Sequence, residues 1–263
     1  MDPMVAEDQV ASTNPVPVRK AATILLLRQG RSGIEVFMVQ RLGRGIFPNL
    51  HVFPGGKVDP TDDGLAHLCE GFDDAHASAQ LGVADGGLRY WVTAIRECFE
   101  ECGVLLAYRD HHPFEASGKA ERARFDRHRH ALAAGDDNLA ALARREGLRL
   151  ATDRVLYFSH WITPPTAPAR FDTRFFVAAM PDGQQAVGDS GETVAGTWVR
   201  PRDALANFDA GRWQMIHPTL TTLGTVSRFN TVRDLLTAVA AQRHLGKVTA
   251  TLHDQGMQNV GDA

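Results

Sequence analysis

Apolar residues recur every three or four positions between residues 88 and 102, and this spacing predicts one amphipathic helix. Its apolar side consists of Leu88, Trp91, Val92, Ile95, Cys98, Phe99 and Cys102. Its polar side consists of Thr93, Arg96, Glu97, Glu100 and Glu101. Gly103 follows at the position where many helices end in a left-handed residue. We therefore predict a helix that packs on one side and presents three glutamates on the other.

Strand patterns surround this helix. Alternating or continuous apolar residues bounded by turn residues predict strands over 21–27, 34–40, 170–180 and 193–200. Further helical patterns follow, with Pro201 opening a short helix and longer ones over 219–229 and 231–243. Strands mixed with helices in this order predict an α/β fold.

The chain divides into a leader (1–17), one domain (18–245) and a tail (246–263). The leader has acids and prolines without an apolar signal core, so we expect it to be disordered. Two stretches interrupt the domain. Residues 63–87 are rich in Gly, Asp and Ala and predict a surface excursion that tolerates shortening. Residues 111–150 predict a helical insertion that packs through Phe125, Leu132, Leu139, Leu142 and Leu148. We expect its Arg and His side chains to form a solvated face, and a phosphate-binding groove is the alternative.

Composition excludes several classes of function. The 263 residues carry a formal net charge of −3, which offers no basic surface for nucleic acid. No apolar run approaches the roughly 20 residues of a membrane span. Three cysteines without a secretory signal favour a reducing compartment, and we predict a cytoplasmic protein that acts on a small molecule. Composition does not predict the oligomeric state.

The three glutamates need a physical explanation. Glu97, Glu100 and Glu101 stand at i, i+3 and i+4, so their like charges repel, and they lie at the negative end of the helix dipole. A divalent cation would explain this arrangement, because Mg²⁺ prefers carboxylate oxygens and retains waters beside a phosphate substrate. The alternative is a solvated charged face. Such faces usually alternate in sign, whereas position 101 adds another glutamate.

A glycine turn upstream completes a known motif. Residues 52–59 contain Pro-Gly-Gly, which lets the backbone approach a ligand closely. Gly56, followed by Arg96 to Val104, resembles the signature of the Nudix hydrolases. The sequence departs from that signature because Asp62, not Glu, stands six residues after Gly56, and because a long stretch separates it from Arg96. Asp62 or Asp63 is the candidate replacement for the missing glutamate.

The resemblance implies a fold and a set of site residues. It implies an α/β/α sandwich with a mixed central sheet and helical insertions. It implies Mg²⁺ or Mn²⁺ held by the Gly56 carbonyl, Glu97, Glu100 and Glu101, with Arg96 holding a motif glutamate in place. It also implies a general base, either a helix glutamate such as Glu97 or Glu100, or the loop residue Glu192. A solvated loop acid is the alternative for Glu192.

The split motif is similar to that of the Nudix group containing the peroxisomal coenzyme A diphosphatases. This implies hydrolysis of coenzyme A or acyl-CoA to 3′,5′-ADP and (acyl-)phosphopantetheine. An ADP-ribose or NADH pyrophosphatase is the enzymatic alternative, and a non-catalytic nucleotide-binding regulator is an alternative of another class. Arg41, Arg170 and Arg174 are candidate ligands of substrate phosphates, since arginine binds phosphate bidentately; structural ion pairs are the alternative for each.

Overall fold

A computed structural model describes residues 16–41, 50–188, 193–241 and 249–251. The strands are β1 (Val18–Gly30), β2 (Gly33–Arg41), β3 (His51–Val52), β4 (Gly55–Lys57), β5 (Cys69–Glu70), β6 (Ala107–Arg109), β7 (His112–Pro113), β8 (Leu148–Ala151), β9 (Leu156–Ile162), β10 (Arg170–Ala179), β11 (Thr193–Val199) and β12 (Thr249–Thr251). The α-helices are α1 (Asp74–Leu81), α2 (Leu88–Cys102), α3 (Gly118–Ala134), α4 (Leu139–Glu146), α5 (Pro201–Asp209), α6 (His217–Val226) and α7 (Val232–Ala240).

The central sheet is mixed, as predicted. Its order is β11-β2-β1-β10-β9-β12, with β3 paired to β2 and β4 paired to β1. β1 runs parallel to β10 over ten residue pairs, from Val18 opposite Arg170 to Leu27 opposite Ala179. β4 runs antiparallel to β1 and sets Gly56 opposite Ala22. This register brings the predicted Pro-Gly-Gly turn into the middle of the molecule.

Helices cover both faces of this sheet. In β1, Ile24 and Leu26 point into the core that contains α2, whereas Leu25 and Leu27 point into the core formed with α5, α6 and α7. All four side chains are fully buried. A strand buried on both faces has a continuous apolar sequence, which explains the run from Ile24 to Leu27. The architecture is the predicted α/β/α sandwich.

The predicted helix over residues 88–102 is α2. Gly103 has φ +70°, so the helix ends at the left-handed glycine that the sequence predicts. The apolar side is buried, as expected. The polar side differs from a solvated face, because Arg96, Glu97 and Glu101 are each less than a tenth exposed. The β4 turn and neighbouring residues enclose this side of the helix.

The first insertion corrects the expectation of a surface excursion. Leu65, Leu68, Ala77 and Leu81 are buried in the core around α2. β5 also belongs to a second sheet of order β5-β8-β6-β7. The high Gly and Asp content predicts a solvated loop. The few apolar residues of this segment nevertheless pack into the core.

The first insertion also completes the N-terminus of α2. The Asp74 carboxylate accepts hydrogen bonds from the N–H groups of Gly86 (2.8 Å) and Leu88 (2.9 Å). The Ser78 hydroxyl accepts one from Gly87 N–H (2.9 Å). The first N–H groups of a helix have no partner within it, and Gly87 has no side chain that could cap them. The insertion therefore provides the missing cap from α1.

The second insertion is helical, as predicted. Its expected apolar residues are buried: Phe125, Leu132, Leu139, Leu142 and Leu148. Arg122 and Arg127 on α3 are exposed, in agreement with a solvated face. Arg129 differs, since only 5% of its surface is exposed. The polar residues of this insertion therefore include at least one that is buried against the rest of the protein.

Most of the predicted disordered leader (1–15), the candidate base Glu192 and most of the predicted tail (246–248 and 252–263) lie outside the described residues. Within the predicted tail, β12 is described and pairs in parallel with β9. In the described ranges, no helix is both long enough and apolar enough to cross a membrane.

The cap formed by Asp74 predicts a stability effect. Asp74→Ala should lower the free energy of unfolding by about 1–2 kcal/mol, the usual effect of losing an N-terminal cap. Asp85→Ala is the control, since that side chain is 87% exposed and lies 4.0 Å from Arg89; we expect a change below about 0.5 kcal/mol. Urea unfolding measures both. Equal changes in the two variants would contradict the capping role.

This effect should depend on pH. Burial would raise the pKa of Asp74, but hydrogen bonds from Leu88 and Gly86 outweigh it and hold the pKa below 3.8. A carboxylate with a lowered pKa in the folded protein stabilises fully above its unfolded pKa. The difference between wild type and Asp74→Ala should therefore be complete at neutral pH and decline as the pH falls through the folded-state value.

Candidate active site

The glutamates of α2 lie against the glycine turn. Gly55 N–H donates a hydrogen bond to Glu101 Oε2 at 3.0 Å. The Glu97 carboxylate lies so close to Gly56 that a Cβ at position 56 would come within 2.3 Å of Glu97 Oε1. A side chain at position 56 would therefore displace the Glu97 carboxylate from its present place. The structure thus brings together Gly56, Glu97 and Glu101, which the sequence predicts in one site.

Asp62 takes the place next to Arg96. Its Oδ1 accepts a hydrogen bond from Arg96 Nε (2.9 Å), and its Oδ2 accepts one from Arg96 Nη2 (3.1 Å). Asp62 is 1% exposed. Asp63, the other candidate, instead pairs with Arg89 near the surface at 3.1 Å. The structure therefore favours Asp62 as the residue that replaces the motif glutamate.

A short helical turn over Pro60–Asp62 places Asp62 correctly. Asp59 accepts a hydrogen bond from Thr61 N–H, and Asp62 accepts one from Asp59 N–H at 2.9 Å, which together form a capping box. Thr93 on α2 also donates its hydroxyl to Asp62 Oδ2 at 2.8 Å. The shorter side chain reaches Arg96 because this turn is held directly against α2.

Arg96 joins the site together. Its Nη1 donates to Glu97 Oε1 at 2.8 Å and lies 3.2 Å from Glu100 Oε1, and its Nη2 donates to the Lys57 carbonyl at 2.9 Å. Burial would lower the pKa of Arg96, but Asp62, Glu97 and Glu100 raise it above the ordinary value. Arg96 therefore remains a cation whose planar fork fixes the carboxylates around it.

The glutamate cluster is electrostatically crowded. Burial raises the pKa of Glu97 to about 8; Arg96 opposes this rise, whereas Glu101 and Glu100 add to it. At Glu97, the charge of Arg96 therefore does not offset burial and the charges of the two neighbouring glutamates. Such a cluster favours the approach of additional positive charge.

The chemistry of these groups fits a hard divalent cation. Three carboxylates and the Gly56 carbonyl are oxygen donors of the kind that Mg²⁺ and Mn²⁺ prefer. In the described residues, however, no three Asp, Glu, His or Cys side chains surround a common point as metal ligands would. Glu97 and Glu100 instead accept from Arg96, and Glu101 accepts from Gly55. Metal binding would require these side chains to turn from their present partners.

The predicted phosphate-binding arginines lie in different environments. Arg41 Nη2 donates to the Gly55 carbonyl at 2.8 Å, so Arg41 borders the glycine turn. Arg170 Nε donates to the Thr163 carbonyl at 3.2 Å. Arg174 is 4% exposed and donates to Asp172 Oδ1, which also contacts His160. Of these three arginines, Arg41 is the one with a hydrogen bond to the glycine turn, and its binding of phosphate stays a prediction.

The loop before the candidate base Glu192 contacts the end of α2. Val187 N–H donates to the Cys102 carbonyl at 2.8 Å. The Gln184 amide donates to the Phe114 carbonyl and exchanges two hydrogen bonds with the backbone of Leu105. Sequence patterns gave no indication of Gln184. Glu192 itself lies outside the described residues, so its role stays a prediction.

A comparison with known protein families shows which family this chain belongs to. The model of the NUDT19 Nudix domain matches residues 83–226, which is more than half of the chain. The chain belongs to the NUDT19 Nudix domain family. This confirms the resemblance to the Nudix hydrolases, and the chain is a Nudix hydrolase.

Individual relatives are similar at low identity. The acyl-coenzyme A diphosphatase NUDT19 of Gallus gallus is 26% identical over 267 residues, covering 82% of this chain and 70% of that protein. The human protein of the same name is 25% identical over 240 residues, covering 77% of this chain and 63% of its own length. A NUDIX hydrolase structure from Alicyclobacillus acidocaldarius has a TM-score of 0.67 and 27% identity, covering 84% of this chain and 96% of its own.

The contact between Asp62 and Arg96 predicts a large stability effect. Asp62→Asn should lower the free energy of unfolding by about 3 kcal/mol, the lower end for a buried ion pair that loses one partner, because Glu97 and Glu100 still neutralise Arg96. Asp63→Asn is the matched control; its side chain is 47% exposed, so we expect less than about 1 kcal/mol. Urea unfolding distinguishes them. A larger effect at Asp63 would contradict the assignment of Asp62.

Proposed function

We propose that this Nudix hydrolase cleaves the diphosphate of coenzyme A or acyl-CoA in a Mg²⁺- or Mn²⁺-dependent reaction. The products are 3′,5′-ADP and phosphopantetheine or its acyl derivative. The observation that carries this proposal is the packing of Glu97 and Glu101 of the glutamate helix against the Gly55–Gly56 turn. The names of the similar acyl-coenzyme A diphosphatases support the choice of substrate.

Glu97, Glu100, Glu101 and the Gly56 carbonyl would hold the divalent ion. When bound, the ion supplies neutralisation of charge on the diphosphate oxygens. Phosphoryl transfer depends mainly on positioning and charge stabilisation. Arg96 orients the Glu97 carboxylate beside Gly56 before an ion binds, which keeps this carboxylate next to the glycine turn.

Other side chains bind the substrate and take the proton from water. Arg41 would bind a phosphate beside the glycine turn, since its guanidinium already reaches the Gly55 carbonyl. Arg170 and Arg174 remain candidates for the other phosphates, although each now has a partner, the Thr163 carbonyl and Asp172 respectively. Glu192 or one of the helix glutamates would act as the general base.

The proposed cellular compartment rests on the state of the cysteines. Cys69, Cys98 and Cys102 are free and buried. Free thiols agree with a reducing environment, and we propose a cytoplasmic location. Localisation of the tagged full-length chain, with organelle markers, tests this directly.

A substrate screen tests the proposed reaction. The purified protein is incubated with CoA, an acyl-CoA, ADP-ribose and NADH, in Mg²⁺, in Mn²⁺ and in EDTA. We expect release of 3′,5′-ADP from CoA or acyl-CoA with either metal, and loss of activity in EDTA. Faster hydrolysis of ADP-ribose or NADH would replace the substrate assignment, and full activity in EDTA would exclude the metal-dependent reaction.

Neutral variants of the glutamates test their role. Glu100→Gln and Glu101→Gln should each reduce turnover by roughly 100-fold, as when electrostatic stabilisation is removed from an active site. Folding should persist, because the amide oxygen of a glutamine at position 101 can still accept the hydrogen bond from Gly55 N–H. Glu35→Gln is the control, since Glu35 pairs with Arg28 elsewhere on the sheet. Wild-type turnover in both helix variants would remove the glutamates from the mechanism.

A further inference from the structure

Arg129 is a buried arginine at the end of the glutamate helix. It lies on α3 of the second insertion and is 5% exposed. Its Nη1 lies 3.5 Å from the carbonyl oxygen of Glu100. A Cβ at Gly103, the residue that ends α2, would lie 3.6 Å from Arg129 Cδ and 3.9 Å from its Nε. The guanidinium therefore adjoins the C-terminal turn of α2.

Aromatic packing places Arg129 there. Phe125, one turn earlier on α3, contacts Phe99 of α2 with ring centroids 6.4 Å apart and Phe114 with centroids 4.5 Å apart. Residues four apart lie on the same side of a helix, so the side that docks Phe125 also directs Arg129 towards α2. Asp126 Oδ1 accepts from Arg129 Nε and Nη2 at 3.3 and 3.2 Å. This contact orients the guanidinium from the solvent side.

The end of α2 is the place where a cation is most favourable. The last carbonyl groups of a helix carry partial negative charge. Glu97, Glu100 and Glu101 add three carboxylates within the same turns, and Arg96 is already shared among Asp62, Glu97 and Glu100. The Asp126 side chain is 56% exposed, so solvent screens its charge more than that of Arg129. Arg129 therefore places positive charge against the backbone carbonyl of Glu100, in the helical turn that carries Glu100 and Glu101.

We propose that Arg129 is a positioning residue of the hydrolase, a fixed counter-cation that holds the end of the glutamate helix in place before a divalent ion binds. This proposal rests on the proposed metal-dependent function. It gives the second insertion a role, since α3 delivers the arginine. It also implies that Arg129 has two opposing effects: it stabilises the metal-free helix, and it weakens the binding of a divalent cation by charge repulsion.

These two opposing effects distinguish the proposed role of Arg129 from a role in packing alone. We compare Arg129→Gln with Arg127→Gln, which removes an exposed arginine from the same helix. In EDTA, Arg129→Gln should lower Tm by roughly 3–6 °C. Saturating Mn²⁺ should reduce this loss by at least half. Calorimetric titration should show that Mn²⁺ binds about threefold to tenfold tighter to Arg129→Gln than to wild type. Arg127→Gln should change neither quantity.

Arg129→Lys keeps the charge without the planar fork and should recover at least half of both effects. This variant also tests the proposal if Arg129→Gln does not fold. Equal losses of Tm with and without Mn²⁺, together with unchanged or weaker Mn²⁺ binding, would show a packing role and overturn the proposal. An increase in KM for CoA with unchanged Tm would also overturn it, since Arg129 would then bind substrate.

The two proposals can fail separately. If wild type binds no Mn²⁺, the metal-dependent function fails. The role of Arg129 at the helix end is then judged from Tm in EDTA alone. A loss in Arg129→Gln, absent from Arg127→Gln and largely recovered in Arg129→Lys, supports that role. Equal Tm values in all three variants overturn it.

Discussion

Repulsion among three glutamates in the last turns of one helix is the constraint on which the rest of this structure depends. Glu97, Glu100 and Glu101 lie where a helix disfavours negative charge, and the chain buries this side of the helix instead of solvating it. Arg96 becomes the shared partner of two glutamates, and the absence of a side chain at Gly56 leaves room for the Glu97 carboxylate beside the sheet. Under the proposed function, this crowding favours the divalent cation that would neutralise a diphosphate.

Each end of the glutamate helix is completed by residues from elsewhere in the chain. At its N-terminus, Asp74 and Ser78 of the first insertion accept the free N–H groups. At its C-terminus, Val187 donates to a carbonyl, and Arg129 adjoins another. The insertions therefore support the active helix directly. This explains how the motif can be divided by a long stretch of sequence without losing its geometry.

Much of this arrangement could be predicted from sequence because it follows local rules. Helical periodicity located α2, a left-handed glycine marked its end, and continuous apolar residues marked β1. The spacing from Gly56 left Asp62 and Asp63 as candidates for the missing motif glutamate, and only the contacts of Arg96 and Arg89 separate them. Arg129 was not recognisable, because its burial results from the docking of Phe125 on α2, whereas its neighbours Arg122 and Arg127 are exposed. The burial of the first insertion likewise depends on tertiary packing, which the local Gly and Asp content obscures.

These features together support our proposal that the crowded glutamates form a binding site for a divalent cation. Electron paramagnetic resonance of Mn²⁺ tests this most directly, because it counts free and bound ions without depending on the substrate. We predict saturable Mn²⁺ binding to the wild-type protein and a loss of roughly tenfold or more in affinity in the double variant Glu97→Gln/Glu100→Gln. Equal Mn²⁺ binding by the wild-type protein and the double variant would contradict the claim.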